Sequence, residues 1–344
     1  MSSDLPLRGV RVLDLTRLLP GAFCTMLLAD LGADVIKVEA PGVGDYMRMD
    51  WSQFEAVNRN KRSIELDLKS DRGREVLLRL VDTARVLIEG NRPGVMQRLG
   101  IGWEVLHERN PKLVMCSITG YGQDGPFAPR AGHDLNYMAV AGALGLNGER
   151  DGPPVPLSVQ VADIGGGGLQ PAVEILAALV AVQRGDQGRW IDVSMTDGAA
   201  GFLALAFASR AAGERVARGD GRLTGRYPCY RVYQCADGRH YSVAALEPKF
   251  WKTLCDAIGR SDLVEARLAE DEQAHRSMEE VFRSRSRDEW EKTLSGLDVC
   301  CEPVLDLDEA AAHPQIKARK LLDAGGQAPA LGEHTDPILR ELGL

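Results

Sequence analysis

The chain has 344 residues, 44% of them hydrophobic, with 49 acidic against 41 basic side chains and a formal net charge of −8. A chain of this length can bury a substantial core and is expected to divide into two domains. Its acidic balance argues against nonspecific nucleic-acid binding, which needs clustered basic residues to neutralise phosphates, but leaves room for a polyanion held by a local basic site.

The N-terminus is polar and no long apolar stretch follows it, so neither secretion nor membrane insertion is expected, and a cytoplasmic location is the default. Residues 10–15 read as a buried strand, 22–31 as an apolar helix entered through Pro20-Gly21, and 35–39 as the next strand. Short connections of this kind imply right-handed parallel crossovers. Residues 63–68 form another strand, followed by a helix over 71–83 with Val76, Leu77, Leu80 and Val81 on one face. Strands over 86–89 and 113–118 continue the alternation. The fold class is therefore α/β, with a doubly wound, Rossmann-like large domain that takes ligands at the carboxyl ends of its strands. No Gly-x-Gly-x-x-Gly follows the first strand, which argues against dinucleotide chemistry.

The glycine run Gly165-Gly166-Gly167-Gly168 precedes an apolar helix over 169–180. Glycines at a helix start leave amide hydrogens free to face negative charge; tight helix packing explains them equally well. After a helical stretch over 196–212, the basic, glycine-containing segment 213–226 has the character of an exposed linker. Strands at 230–235 and 240–244 flank Ala236-Asp237-Gly238-Arg239 as a hairpin. Helices follow at 248–258, closed by Gly259, and at 278–294. The expected division is a large domain over 1–212, a linker over 213–226, a smaller α+β domain over 227–305, and a C-terminal segment over 306–344 returning to the large domain. Seven cysteines without metal-ligand spacing read as reduced thiols, with Cys300-Cys301 as packing and no metal site.

His133, in Gly132-His133-Asp134-Leu135-Asn136-Tyr137, and Asp163, directly before Ile164 and the glycine run, are the candidate chemical groups. An imidazole and a carboxyl group can remove a proton from one face of a carbon beside a carbonyl and return it to the other. A helix beginning at Asp134 would offer free amide hydrogens beside His133. The structural alternative for His133 is a satisfied loop or helix-start histidine. For Asp163 it is a helix N-cap, and for Glu247, before Pro248, an acidic helix-start residue stabilised by the dipole.

These segments resemble the alpha-methylacyl-CoA racemases of the family III CoA-transferase superfamily. The likeness extends over residues 9–39, Asn60-Lys61-Arg62-Ser63-Ile64-Glu65-Leu66-Asp67-Leu68-Lys69, Gly120-Tyr121-Gly122-Gln123-Asp124-Gly125-Pro126, Leu246-Glu247-Pro248 and Gly332-Glu333-His334-Thr335-Asp336. The resemblance implies an interlocked homodimer whose active site forms between the large domain of one subunit and the small domain of the other. His133 and Asp163 would be the catalytic bases, Glu247 would hydrogen-bond the histidine, and the Asp134 amide would stabilise a thioester enolate. It places CoA contacts at Leu66, Asp67, Leu68, Lys69, Gly90, Asn91, Arg92 and Arg98, and along Gly132, Asp134, Leu135, Asn136 and Tyr137. No tightly bound cofactor is implied, since coenzyme A enters as part of the acyl-CoA thioester, and neither nucleic acid nor membrane is an expected partner.

The sequence also departs from its likeness. Ala40 stands where related enzymes often carry an arginine for the CoA adenosine end, the segment Gly225-Arg226-Tyr227-Pro228-Cys229-Tyr230 lacks the usual small residues before the proline, and the span from Leu321 to Gly332 is short. The implied activity is racemisation of 2-methyl-branched acyl-CoA thioesters in lipid metabolism. The rivals are CoA transfer between carboxylic acids, with Asp163 as nucleophile, and a CoA-ester-binding protein that has lost catalysis. The histidine favours the racemase, because a transferase needs no second base. The three residues His133, Asp163 and Glu247 together count against a retired site.

Overall fold

The computed structural model describes residues 5–320 and 325–344. They form two compact units: the first comprises the described residues up to Leu144, Pro156–Phe207 and Gly325–Leu344, and the second comprises Gly145–Val155 with the described residues from Ala208 to Lys320. The second unit thus takes in the basic segment 213–226.

In the first unit six strands form one parallel sheet: β1 (Arg11–Leu15), β2 (Asp34–Glu39), β3 (Arg62–Glu65), β4 (Val86–Glu89), β5 (Val114–Thr119) and β6 (Trp190–Ser194), in the order β3-β2-β1-β4-β5-β6. The central strands are rich in Val, Ile and Leu because both faces of the sheet are covered. Val12, Val35, Ile88 and Cys116 share one core cluster with Leu28, Ile175 and Leu179 of the helices Leu19–Asp30 and Gln170–Gln183. Leu13, Ile36, Ile64 and Leu87 share the other with Leu77 and Leu80 of helix Asp71–Thr83 and Ile338 of helix Thr335–Glu341. The period-two alternation of each strand sends adjacent residues to opposite layers.

Helix Asp71–Thr83 has the predicted limits and is capped by Ser70, whose side chain accepts the Gly73 amide. The first helix starts at Leu19 rather than at 22, since Pro20 fits the first turn, where its missing N–H costs nothing. Strand β3 ends at Glu65, earlier than expected, because Asp67 to Ser70 turn the chain into the next helix. Strand β6 was not anticipated; it pairs in parallel with β5 from Met115↔Trp190 to Thr119↔Ser194. The outer edge of β3 is covered by the C-terminal segment: Gly332 N donates to Ser63 Oγ (2.9 Å), His334 N to Ser63 O (2.9 Å), and Glu65 N to Thr335 Oγ1 (3.2 Å). Covering an edge in this way removes a template for unwanted strand pairing. The short span noted before Gly332 begins in residues outside those described.

The glycine run corrects the sequence reading. It lies inside a continuous helical stretch, a π-helical segment Ala162–Leu169 running directly into Gln170–Gln183, so the glycines do not form a helix start with free amides. A Cβ on Gly165 would meet the Phe202 ring at 2.6 Å, on Gly167 Pro20 at 2.7 Å, and on Gly168 Phe23 at 2.8 Å. Packing is what requires the missing side chains. The stretch Ala162–Gln183 is long and apolar enough to span a bilayer by composition, but here it packs on β5, β6 and the first helix as a core element.

The second unit has a three-stranded antiparallel sheet, with β7 (Tyr230–Gln234), β8 (His240–Ala244) and β9 (Cys301–Pro303) in the order β7-β8-β9. The predicted hairpin turns at Gly238, whose φ of 80° suits glycine. Its core stacks Tyr233 on Phe282 with ring centroids 5.0 Å apart, beside Trp251 and Trp290. The helix expected over 278–294 is two helices, Glu272–Arg283 and Arg287–Leu294, because Ser286 and Glu289 form a capping box that starts a new one. The helix expected over 196–212 likewise divides into Met195–Gly201 and Ala204–Ala211. All seven cysteines are free; Cys301 packs in the core, whereas Cys300 is exposed.

Candidate active site

The order β3-β2-β1-β4-β5-β6 reverses direction between β1 and β4, and a doubly wound sheet opens a crevice there at its carboxyl edge. A cleft of about 220 Å³ occupies this position, lined by residues at or just after the ends of β1 (Leu15, Thr16, Arg17), β2 (Glu39, Ala40), β3 (Leu66, Asp67, Leu68, Lys69) and β4 (Asn91). Of the predicted CoA contacts, Leu66, Asp67, Leu68, Lys69 and Asn91 line this cleft, whereas Gly90, Arg92 and Arg98 do not, and both arginines are exposed. Sequence reasoning missed Arg17. Its guanidinium lies 5.4 Å from the Tyr46 ring centroid and puts a cation on the cleft wall. Its position two residues after the end of β1 becomes a signal only once the strand order is known.

A buried charge network lies behind the strand ends that line the cleft. Asp14 accepts from Thr16 N (2.9 Å), Thr16 Oγ1 (2.6 Å), Thr25 Oγ1 (2.7 Å) and Lys61 Nζ (3.3 Å). Burial alone would raise its carboxyl, but Lys37, Lys61 and the two hydroxyls outweigh that and hold it at about 2. Burial lowers Lys61 to about 8 against the pull of Asp14. Lys37 Nζ forms an ion pair with Asp45 Oδ2 at 2.9 Å and donates to Thr16 O at 3.0 Å. At the neighbouring strand end, Arg48 grips Glu39 at 2.8 and 2.7 Å. These ties fix the β1 and β2 termini that shape the cleft.

The second group of predicted residues follows β5. Gly120 and Gly132 lack side chains where the Tyr137 ring passes: a Cβ on either would lie 2.3 and 2.7 Å from it. Tyr137 donates its hydroxyl to Gly132 O and meets Tyr121 edge-on at 5.2 Å, which holds the loop that carries His133. His133 is exposed and sits at the N-cap of helix Asp134–Ala141. Its amide donates to Asn136 Oδ1 at 3.1 Å, and its carbonyl accepts Asn136 N at 2.8 Å. The amides of Asp134 and Leu135 find no acceptor among the described residues, as expected for the first turn of a helix.

Asp163 is brought to this place by the connection from β5 to β6: both strands point the same way, so the helix between them starts at their carboxyl edge. Asp163 is half-buried and lies in the first turn of the π-helical segment rather than at its N-cap. The cap is Asp134, whose Oδ1 accepts Ala162 N at 2.7 Å and Asp163 N at 3.1 Å. No group among the described residues donates to the Asp163 carboxyl. Burial, reinforced by the like charge of Asp134 and opposed by His133, raises it to about 6. Tyr137 is pushed up to about 12 by burial and by Asp163. The structure thus brings His133, Asp134, Tyr137 and Asp163 into one cluster. Glu247 belongs to the second unit, exposed at the N-cap of helix Pro248–Ala257 and making no side-chain capping bond.

A carboxyl near neutrality beside an imidazole and unpaired helix-start amides is suited to proton transfer at a carbon whose neighbouring oxygen becomes anionic. The chain belongs to CoA-transferase family III, whose family model matches residues 7–335. It is 36% identical to the alpha-methylacyl-CoA racemase of Homo sapiens over 98% of this chain and 94% of that protein. It is 33% identical to the formyl-CoA:oxalate CoA-transferase of Rhodopseudomonas palustris over 98% of this chain and 93% of that one. A solved CAIB/BAIF family protein from Brucella suis superposes with a TM-score of 0.85 at 32% identity, covering 98% of this chain and 99% of that chain.

Proposed function

We propose that this protein racemises 2-methyl-branched acyl-CoA thioesters by two-base proton transfer. The observation that carries the reading is the pairing of two proton-transfer groups in one cluster: the His133 imidazole and the Asp163 carboxyl, which is raised to about 6 and accepts no hydrogen bond from the described residues. Such a carboxyl exists in both protonation states near neutral pH, which a reversible reaction requires. In one direction His133 removes the α-proton, leaving a planar enolate, and neutral Asp163 delivers its own proton to the opposite face. In the other direction ionised Asp163 removes the proton and protonated His133 returns one. The unpaired Asp134 amide donates to the thioester oxygen as charge moves onto it. The CoA moiety occupies the cleft at the β1 and β4 ends, with Arg17 and Lys69 toward its phosphates.

The proposed working form is the interlocked homodimer, with Glu247 of one subunit holding the His133 ring of the other. Exposed Val140, Leu169, Val173, Phe202, Leu205 and Phe207 give the first unit apolar surface that a partner would bury. A monomer in light scattering at working concentration refutes this part.

The test of the reaction is incubation with one enantiomer of a 2-methylacyl-CoA in deuterated water, without an acceptor acid. Deuterium uptake at the α-carbon with loss of enantiomeric purity, both abolished by His133→Ala, is the expected outcome. Absence of exchange across several acyl groups overturns the racemase and moves the assignment to CoA transfer.

A further inference from the structure

The Asp134 side chain links the two halves of the candidate active site. Its carboxylate accepts the amides of both Ala162 and Asp163, so a residue in the first turn of the His133 helix holds the first turn of the Asp163 segment. That segment has no cap of its own, because the residue before it is Val161, which offers no side-chain acceptor. Without Asp134 the two amides, in a partly buried helix start, would lose their partner. The same carboxylate faces Asp163, whose other charged or titratable neighbours are His133 and Tyr137.

We infer that the Asp134 side chain is a positioning residue for Asp163, fixing the start of its helix against the His133 helix and presenting a like charge to its carboxyl. This deepens the racemase reading, and its kinetic arm rests on that reading. A nearby anion favours the neutral form of a carboxyl, the form needed when His133 acts as the base. The tie also keeps the two groups at a constant spacing, since each is anchored to one end of the same short bridge.

Two substitutions separate the geometric from the electrostatic part. Asp134→Asn keeps an acceptor oxygen for both amides and removes the charge, whereas Asp134→Ala removes both. In substrate-free protein, the Asp163 carboxyl is followed by ¹³C NMR, with its signal assigned through Asp163→Asn. The expected result is titration at lower pH in Asp134→Asn than in wild type, with the fold retained. Hydrogen exchange at the Ala162 and Asp163 amides should quicken about tenfold or more in Asp134→Ala, the equivalent of one lost hydrogen bond, and by much less in Asp134→Asn. In the racemisation assay, each pH unit of downward movement lowers the neutral fraction of Asp163 at pH 7 about tenfold. Therefore kcat in the direction that uses neutral Asp163 should fall, with its pH profile displaced downward and KM little changed. An unchanged Asp163 titration in Asp134→Asn overturns the inference. If the wild-type protein performs no α-proton exchange, the racemase reading fails, while titration and amide exchange still decide the role of Asp134.

Discussion

Replacing Asp163 by asparagine should make the protein more stable above neutral pH while removing its proposed activity. The fold raises this carboxyl from 3.8 to about 6, first through burial and then through Asp134. Because the folded-state value lies above the unfolded one, the favourable contribution of the neutral carboxyl is fully present below pH 3.8 and is lost as pH rises through about 6. At about 1.4 kcal/mol per pH unit, the whole rise corresponds to about 3 kcal/mol. Partial exposure of the side chain and solvent screening bring the expected gain to about 1–2 kcal/mol. Asparagine has nearly the same shape, cannot ionise, and so keeps the low-pH level of stability throughout. The assay is thermal unfolding of wild type and Asp163→Asn at pH 4 and pH 8, taking the difference at each pH so that every other titrating group cancels. A difference near zero at pH 4 and a gain of roughly 1–4 °C for the variant at pH 8 is expected. A variant less stable than wild type at pH 8, or a difference independent of pH, would refute the argument that the folded protein disfavours the ionised carboxyl.

The crossing of helix Met195–Gly201 with the π-helical segment gives a paired test, since a Cβ on Gly198 would lie 2.3 Å from Gly166 Cα, whereas one on Gly201 would meet nothing within 4 Å. Gly198→Ala should cost about 1–3 kcal/mol through overpacking and displace Asp163 with its helix, while Gly201→Ala should be neutral or stabilising by up to about 1 kcal/mol; equal unfolding midpoints in urea would contradict this. Asp14, held at about 2, contributes stability that is present above its ordinary value and is lost as pH falls through about 2. Lys61→Met removes one of its two cations, so acid unfolding should begin at higher pH than in wild type, and an unmoved acid transition counts against the network. In competition with free CoA, Arg17→Ala or Lys69→Ala should weaken binding roughly tenfold, as expected for one charged contact, whereas Arg92→Ala and Arg98→Ala, outside the cleft lining, should change it much less; the reverse ranking would relocate the CoA site.

Legibility in the sequence followed how locally each feature is determined. Helix Asp71–Thr83 could be read to the residue because Ser70 caps it and Val76, Leu77, Leu80 and Val81 repeat on one face. The glycine run could not be resolved, because its packing partners Pro20, Phe23, Met195 and Phe202 come from elements distant in sequence. The helix start at Asp134 was visible in the pattern after Gly132, but the direction of the Asp134 side chain, toward amides of residues 162 and 163, is a tertiary fact with no local signature. Arg17 was hidden for a different reason: an arginine after a strand reads as a solvated surface residue until the strand order places it beside the switch point. The split of 278–294 was open to reading, since Ser286 three residues before Glu289 is a capping-box signature.

The choice between racemisation and CoA transfer reduces to what the Asp163 carboxyl does first. As a nucleophile it must be ionised, attack the thioester carbonyl carbon and expel CoA thiolate as the C–S bond breaks, leaving an acyl–aspartyl anhydride. As an acid–base group it exchanges a proton and never bonds to carbon. A value near 6 leaves enough carboxylate at pH 7 for either path, so charge state alone does not discriminate. Among the neighbours it is the His133 imidazole that favours the racemase reading, since a nucleophile needs no partner on the opposite face of the substrate, whereas the free amides beside it would serve the oxyanion of either path. Acid quenching of concentrated protein mixed with acyl-CoA, with no acceptor acid, distinguishes the two directly. Anhydride formation breaks the C–S bond and leaves one equivalent of free CoA thiol per site with the acyl group carried on Asp163, whereas proton exchange leaves the C–S bond unbroken. The racemase reading expects the CoA thioester to be recovered intact with its α-hydrogen exchanged; a stoichiometric, Asp163-dependent burst of thiol without α-exchange would assign the carboxyl to acyl transfer.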